Sequence, residues 1–139
     1  MDTTVVASLL TWVEGHDALA PLPVGLEDFP VDDRDAVMLS LLSGDPVVKR
    51  YKSGGYIAAQ QFQLILRTHL TDTAARLDAM RRMSDVASSI EDSGTWPVAP
   101  DGYDYYMLTV RTAPVPVAVD DSGARDYHLT MELAYRQRG

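Results

Sequence analysis

Two different spacings of apolar residues meet in the middle of this chain. Between Gly54 and Arg67, Phe62, Leu64 and Leu66 alternate with Gln61, Gln63 and Arg67, which predicts a strand with one buried and one wetted face. Immediately afterwards Ala74, Leu77, Met80, Met83, Val86, Ala87 and Ile90 recur three and four apart, a single apolar stripe that predicts a helix over 72–91. Packed together, the inner face of that strand and the stripe of that helix form the expected nucleus of a two-layer core.

The remaining elements arrange themselves around this unit. A helix is predicted over 3–15 from Val5 or Val6, Leu9, Leu10, Trp12 and Val13, with Thr3 or Thr4 as its cap and Gly15 as its stop. Residues 17–35 are expected to be an irregular loop, because Pro21, Pro23, Gly25 and Pro30 oppose regular pairing. Leu19, Leu22, Val24, Leu26 and Phe29 should press that loop onto the body. Residues 36–42 read as a central strand, 43–46 as a turn, 47–52 as a second strand and 53–55 as a further turn. The segment 36–67 is therefore expected to be a three-stranded antiparallel meander.

Asp72 opens the long helix and Gly94 is placed just past its end. Residues 95–102 form a loop with Trp96 as anchor. In 103–111, Tyr106, Leu108 and Val110 are assigned to one face and Tyr105, Met107 and Thr109 to the other. The proline-rich stretch 113–119 is read as an extended arm or edge hairpin, and 121–123 as its turn. Over 126–136, Tyr127, Leu129, Met131, Leu133 and Tyr135 alternate strictly with polar residues. The expected fold is α+β: a mostly antiparallel sheet of about five strands with two helices on one face, in the order α-β-β-β-α-β-β, as one domain over 1–139.

Composition narrows the classes. An apolar content of 46% in 139 residues suits a chain with a real core. The absence of cysteine excludes disulfides and thiolate metal sites, and fits assembly in a reducing cytoplasm. Apolar runs fall short of the roughly 18 residues that span a bilayer, and the acidic start lacks the basic leader of a secretory signal. A formal charge of −8 and a pI near 4.6 argue against direct nucleic-acid recognition.

Candidate chemistry is sparse. His16, His69 and His128 lie far apart in sequence, without metal-ligand spacing. His69 and Asp72 could form a dyad, although Asp72 reads first as a helix cap. Lys52-Ser53-Gly54-Gly55 has the residues of a phosphate loop in the wrong order and leads into a strand. The pairs Asp32-Asp33 and Asp120-Asp121 lack the ligand pattern of a calcium loop. No catalytic, cofactor-binding or metal-binding set is assigned. Arg76, Arg81 and Arg82, with Lys49, Arg50 and Lys52, could form a basic spot: either a solvated face or a contact for carboxylates of another copy. Seven tyrosines against two phenylalanines favour wet interfaces, with Tyr51, Tyr56, Tyr103 and Tyr105 at strand ends or outward positions. The candidate interface set is Arg50, Tyr51, Lys52, Tyr56, Arg67, Arg76, Arg81, Arg82 and Tyr105.

Several stretches together resemble a known family. They are the run from Gly54-Gly55 through Phe62-Gln-Leu-Ile-Leu-Arg67, then Ala74, Ala75, Leu77 and the helix to Ile90; the opening helix with Leu22-Pro23-Val24 and Phe29-Pro30; and the close from Asp121-Ser-Gly to Tyr135. This pattern resembles the minor capsid or tail terminator proteins of long-tailed bacteriophages. The resemblance spans nearly the whole chain, and it consists of strands, turns and a helix rather than an active-site signature. It implies a non-enzymatic virion protein, made in the host bacterial cytoplasm. Such a protein forms a ring, as a hexamer, on the end of the tail tube and lets the head join. Its implied partners are copies of itself, the major tail tube protein and a head–neck connector, with no cofactor and no membrane. Arg67 matches a recurring arginine at the end of that family's central strand. A neck adaptor or head-completion protein is the nearest alternative. A small α+β enzyme or ligand-binding domain, using His69 and Asp72 or a tyrosine-lined sheet, is the alternative of another class.

Overall fold

The computed structural model describes residues 2–31, 34–42, 46–69, 72–118 and 124–139. Its elements run α1 (Thr3–Glu14), a single 3-10 turn (Asp17–Leu19), β1 (Val24–Leu26), β2 (Ala36–Leu41), β3 (Val47–Arg50), β4 (Tyr56–Thr68), α2 (Thr73–Ser93), β5 (Tyr103–Ala118) and β6 (Arg125–Gln137). The strands form one open sheet in the order β1-β2-β4-β6-β5, with β3 also paired to β4. Every pairing is antiparallel except that of β1 with β2. This is the expected α+β architecture, with one strand more than the sequence pattern predicts.

The spine is the pair β4–β6, matched residue for residue from Tyr56 opposite Gln137 to Thr68 opposite Arg125. Because directly opposed residues share a face, the two alternations reinforce each other: Phe62 meets Met131, Leu64 meets Leu129 and Leu66 meets Tyr127, all buried. Val37 and Leu39 of β2 extend that face on one side and Leu108 of β5 on the other. Val5, Leu9 and Val13 of α1 and Met83, Val86 and Ile90 of α2 close over it, so both helices and the sheet share one hydrophobic cluster. The opposite face of the sheet carries cross-strand polar pairs, Gln61–Glu132 and Gln63–Thr130.

Five details depart from the expectations, each for a local physical reason. The segment 36–67 is not a meander. β2 and β3 both pair with β4 along the same edge, Ala36–Leu41 with Phe62–Arg67 and Val47–Arg50 with Tyr56–Ala58. On either side of the gap, Leu42 N donates to Gln61 O (3.1 Å) and Ala59 N to Pro46 O (2.8 Å), so one long hairpin arm is interrupted rather than folded back. Ser43, Gly44 and Asp45 of the expected turn lie outside the described residues.

Second, the loop 17–35 contains β1. Its prolines flank the paired residues, and Pro23 takes part through its carbonyl, which accepts from Val37 N at 2.9 Å. A proline lacks only the donor, so it is tolerated at the start of an edge strand. Third, the cap of α1 is Asp2, whose carboxylate accepts from Thr4 N (3.0 Å) and Val5 N (3.4 Å), rather than Thr3 or Thr4.

Fourth, the buried face of α2 is rotated from the predicted stripe in its first half. Ala79, Met83, Val86, Ala87 and Ile90 are buried, whereas Leu77 is 58% and Met80 43% exposed. Arg82 occupies the inward side there, its guanidinium reaching the carbonyls of Ala18 (3.1 Å) and Ala20 (2.8 Å). Fifth, β5 runs on through the proline-rich arm to Ala118, as the sheet's edge strand. A register shift between Tyr105 and Met107 exchanges the sides of Tyr105 and Tyr106: Tyr105 joins Leu108 and Val110 against the core and Tyr106 is 50% exposed, while Met107 stays on the face opposite Leu108 as predicted. Residues 119–123, which include the end of the predicted arm and its turn, lie outside the described residues.

Candidate assembly surfaces

The hairpin joining β3 to β4 makes one end of the molecule. Tyr51 N donates to Gly55 O (2.8 Å), and Gly54 adopts φ +100°, a backbone conformation open to glycine. Gly55 packs against the last residues of the chain: a Cβ there would sit 2.6 Å from Gln137 O. This contact brings 49–52 and 136–138 together. Lys49 opposes Ile57, which opposes Arg136 in turn, so both cations stand on the same sheet face. Lys49 Nζ lies 5.3 Å and the Arg136 guanidinium 5.2 Å from the centroid of the Tyr51 ring. Arg50 lies over the Tyr56 ring at 5.8 Å, beside a cleft of about 350 Å³. Arg50 and Lys52 are exposed.

The basic spot expected to join this hairpin to α2 is divided by the fold. Arg81 and Arg82 are neutralised on their own helix: Arg82 Nε donates to Asp78 Oδ2 at 2.9 Å, and Arg81 pairs with Asp78 and, at 3.8 Å, with Asp85. Asp78 is correspondingly held below its ordinary carboxyl range, chiefly by the hydrogen bond from Arg82, which together with Arg81 outweighs the opposing effect of burial. Arg76 is half-buried, with Nε shielded from solvent and unbonded among the described residues. Arg67 makes a two-pronged contact with Asp126 (2.8 and 3.0 Å) and stacks over Phe29 at 4.3 Å. It binds the end of β4 to β6 and to the loop before β2.

The tyrosines turn inward around Asp2. Tyr103 OH donates to Asp2 Oδ2 at 2.6 Å, and Tyr56 OH donates to the same oxygen. Tyr105 OH bonds Ser8 Oγ. The Tyr135 ring stands 6.0 to 6.1 Å from those of Tyr56, Tyr103 and Tyr105. Burial, followed by the bond to Asp2, pushes the Tyr103 phenol up to about 12, and the same causes raise Tyr56 further. Burial raises Tyr105 and Tyr135 as well. Burial opposes ionisation of Asp2, but the bonds from Tyr103, Tyr56 and the amides of Val5 and Thr4 outweigh it and lower its pKa. A carboxylate held ionised among phenols held protonated is a clamp between α1 and the sheet, the reverse of what an activated phenolate needs. Tyr56 and Tyr105 of the candidate set are thus engaged within the chain. Its place just before α1 marks Asp2 as a candidate cap, but no sequence signal gives it the tyrosines, which lie 54 and 101 residues away.

The histidines are spread over the fold. His16 Nδ1 accepts from Ala18 N (3.2 Å), its Nε2 bonds Ser89 Oγ (3.0 Å), and burial lowers its pKa against the charges of Asp17 and Asp85. Asp72 caps α2 through Ala75 N at 2.7 Å, and His69 donates its backbone N–H to Asp35 (2.9 Å), so the two are used separately. Among the described residues no cluster of three or more His, Asp or Glu is placed to hold a metal ion. No helix among them is long and apolar enough to cross a membrane.

No protein-family model and no curated protein matches this chain. Among solved structures, it is similar to a chain from the virion of a native gene transfer agent particle. The two superpose with a TM-score of 0.61 at 18% identity, over 94% of this chain and 92% of the other. At that identity the likeness is one of fold, and it runs from end to end of both chains. In this chain the sheet ends at β1 and β5, and β3, paired only with β4, has an open outer side as well. β5 is 16 residues long and leaves one row of backbone groups unpaired by the sheet, with Val115 and Val117 exposed beside it.

Proposed function

We propose that this chain is a structural protein of a tailed-phage-like virion, working at the head–tail junction as a tail terminator. It caps the tail tube as a hexameric ring and offers the opposite surface to a head–neck connector. The observation that carries this reading is the end-to-end likeness of fold to a chain of a gene transfer agent virion. It agrees with the resemblance of the sequence to tail terminators. The side chains with chemical potential support a non-enzymatic role: Asp2 and its tyrosines clamp a helix, His16 and Asp72 cap helices, and Arg67 ties strands.

A capping subunit needs adhesive flanks, and β5 supplies one. Its unpaired edge is able to extend a neighbour's sheet through main-chain hydrogen bonds. Pro114 and Pro116 lack the donor, which confines the productive part to the segment before them. Electron microscopy of the protein mixed with purified tail tubes tests the role. A ring on the head-proximal end of each tube is expected. Bare tube ends overturn it, and binding to the portal side instead makes the chain a neck adaptor.

A further inference from the structure

The hairpin end is a strongly basic spot on an acidic protein. Lys49, Arg50, Lys52 and Arg136 gather there, two of them against one tyrosine ring, and none forms an ion pair with a described residue. The Nε of Arg136 is shielded from solvent and has no hydrogen-bond partner among the described residues. Elsewhere several arginines are paired with carboxylates, Arg81 and Arg82 with Asp78, Arg67 with Asp126 and Arg138 with Asp104, while Arg76 of α2 and Arg125 of β6 stand singly, without an ion pair to a described residue. Four cations without an ion pair to a described residue gather within one turn and one strand end, with Asp104, opposite Arg136, turned to Arg138; in a chain of net charge −8 they mark a surface suited to an acidic partner.

A complementary surface stands on the same chain, beyond the reach of its own hairpin. α1 starts beside the hairpin end, where Asp2 bonds Tyr56, and its 12 residues carry the chain roughly 18 Å away to Glu14. There the His16–Ser89 bond joins the end of α1 to α2. Asp85 and Asp92 lie four residues before and three after Ser89, on the same side of α2, and Asp17 follows His16. Glu14, Asp17, Asp85 and Asp92 are all exposed, and of the four only Asp85 has a described cation within reach, Arg81 at 3.8 Å.

We infer that the basic hairpin end of one copy docks on the acidic corner formed by Glu14, Asp17, Asp85 and Asp92 of the next. The two surfaces differ, so the contact is head-to-tail and repeats around a ring when the rotation closes. Arginine and lysine at the end of a stiff hairpin reach carboxylates displayed on two helices, and the flanking tyrosine excludes water from one side of the contact. This contact supplies one joint of the ring proposed above and rests on that reading for its biological setting, though its chemistry is independent of the tube.

A charge-swap experiment tests it. Lys49→Glu with Lys52→Glu reverses the hairpin end, and Glu14→Lys with Asp17→Lys reverses the corner. All four positions are exposed, and thermal melts verify that each variant folds. In sedimentation at low salt, the wild type is expected to self-associate, less so as salt is added. Each reversed variant alone should remain monomeric, and an equimolar mixture of the two should recover association, because each reversed surface then meets its opposite. A wild type that stays monomeric at its solubility limit, reversed variants that associate normally, or a mixture that fails to recover each overturn the proposal. Loss of binding to DNA in Lys49→Glu/Lys52→Glu, with self-association intact, overturns it in favour of a polyanion at the hairpin end. Tube capping by a variant unable to self-associate overturns the joint and leaves the capping role. Recovered association with bare tubes does the reverse.

Discussion

Removing the Asp2 carboxylate should loosen α1 from the sheet. In Asp2→Ala the helix loses its cap, worth about 1 kcal/mol. Tyr56 and Tyr103 lose a charged acceptor, and such bonds contribute roughly 1.5–3 kcal/mol when buried and less when half-exposed, as Asp2 is. Allowing about 1 kcal/mol for each phenol, the expected loss is about 3 kcal/mol, or roughly 10 °C in melting temperature for a chain of this size. Asp2→Asn keeps the capping oxygen and the shape but not the charge, so it should cost about 1–2 kcal/mol.

Denaturant unfolding at neutral pH should therefore rank the wild type above Asp2→Asn and Asp2→Ala last. The pH dependence adds an independent check. The folded pKa of Asp2 lies below its ordinary 3.8, so its contribution is complete above that value and is lost as pH falls through the folded one. The wild type and Asp2→Asn should converge in acid. At the other extreme Tyr103, raised to about 12 from 10.0, stabilises the fold below pH 10 and loses that contribution as pH climbs towards 12. An Asp2→Ala protein within 0.5 kcal/mol of the wild type, or a gap that does not close in acid, would refute the clamp.

Three further outcomes follow from the packing. Met83→Ala should cost about 2–5 kcal/mol in denaturant unfolding and Leu77→Ala less than about 0.5, since the first is fully buried and the second lies in water; equal costs would restore the stripe read from sequence. Gly55→Ala should destabilise the chain by about 1–3 kcal/mol, as its Cβ would stand 2.6 Å from Gln137 O, and a neutral melt would mean the chain end yields freely. A double-mutant cycle on Arg67→Ala and Asp126→Ala should return a coupling of about 1–3 kcal/mol, and additive effects would reduce the pair to an accident of proximity.

Local spacing accounts for what was legible in advance. β4, β6, α1 and the extent of α2 follow from periods of two and 3.6, which the backbone imposes wherever one side is buried. Asp72 and Gly94 bound α2 through interactions within a few residues, so they too could be read directly. The resemblance to tail terminators came from those same elements in order. Pairing and facing are different matters, because they depend on residues far apart in the chain. β1 exists because β2 offers an edge that Pro23 and Val24 can meet, and no count of prolines contains that edge. Tyr105 faces inward because a shift in β5 against β6 reverses its alternation. Leu77 faces water because Arg82 takes the inward side to reach Ala18 and Ala20. The basic residues looked like one spot in sequence. Folding separated them, neutralising Arg81 and Arg82 with carboxylates of their own helix and joining the hairpin to Arg136, since charge is balanced in three dimensions and the chain order carries no record of which acids come near.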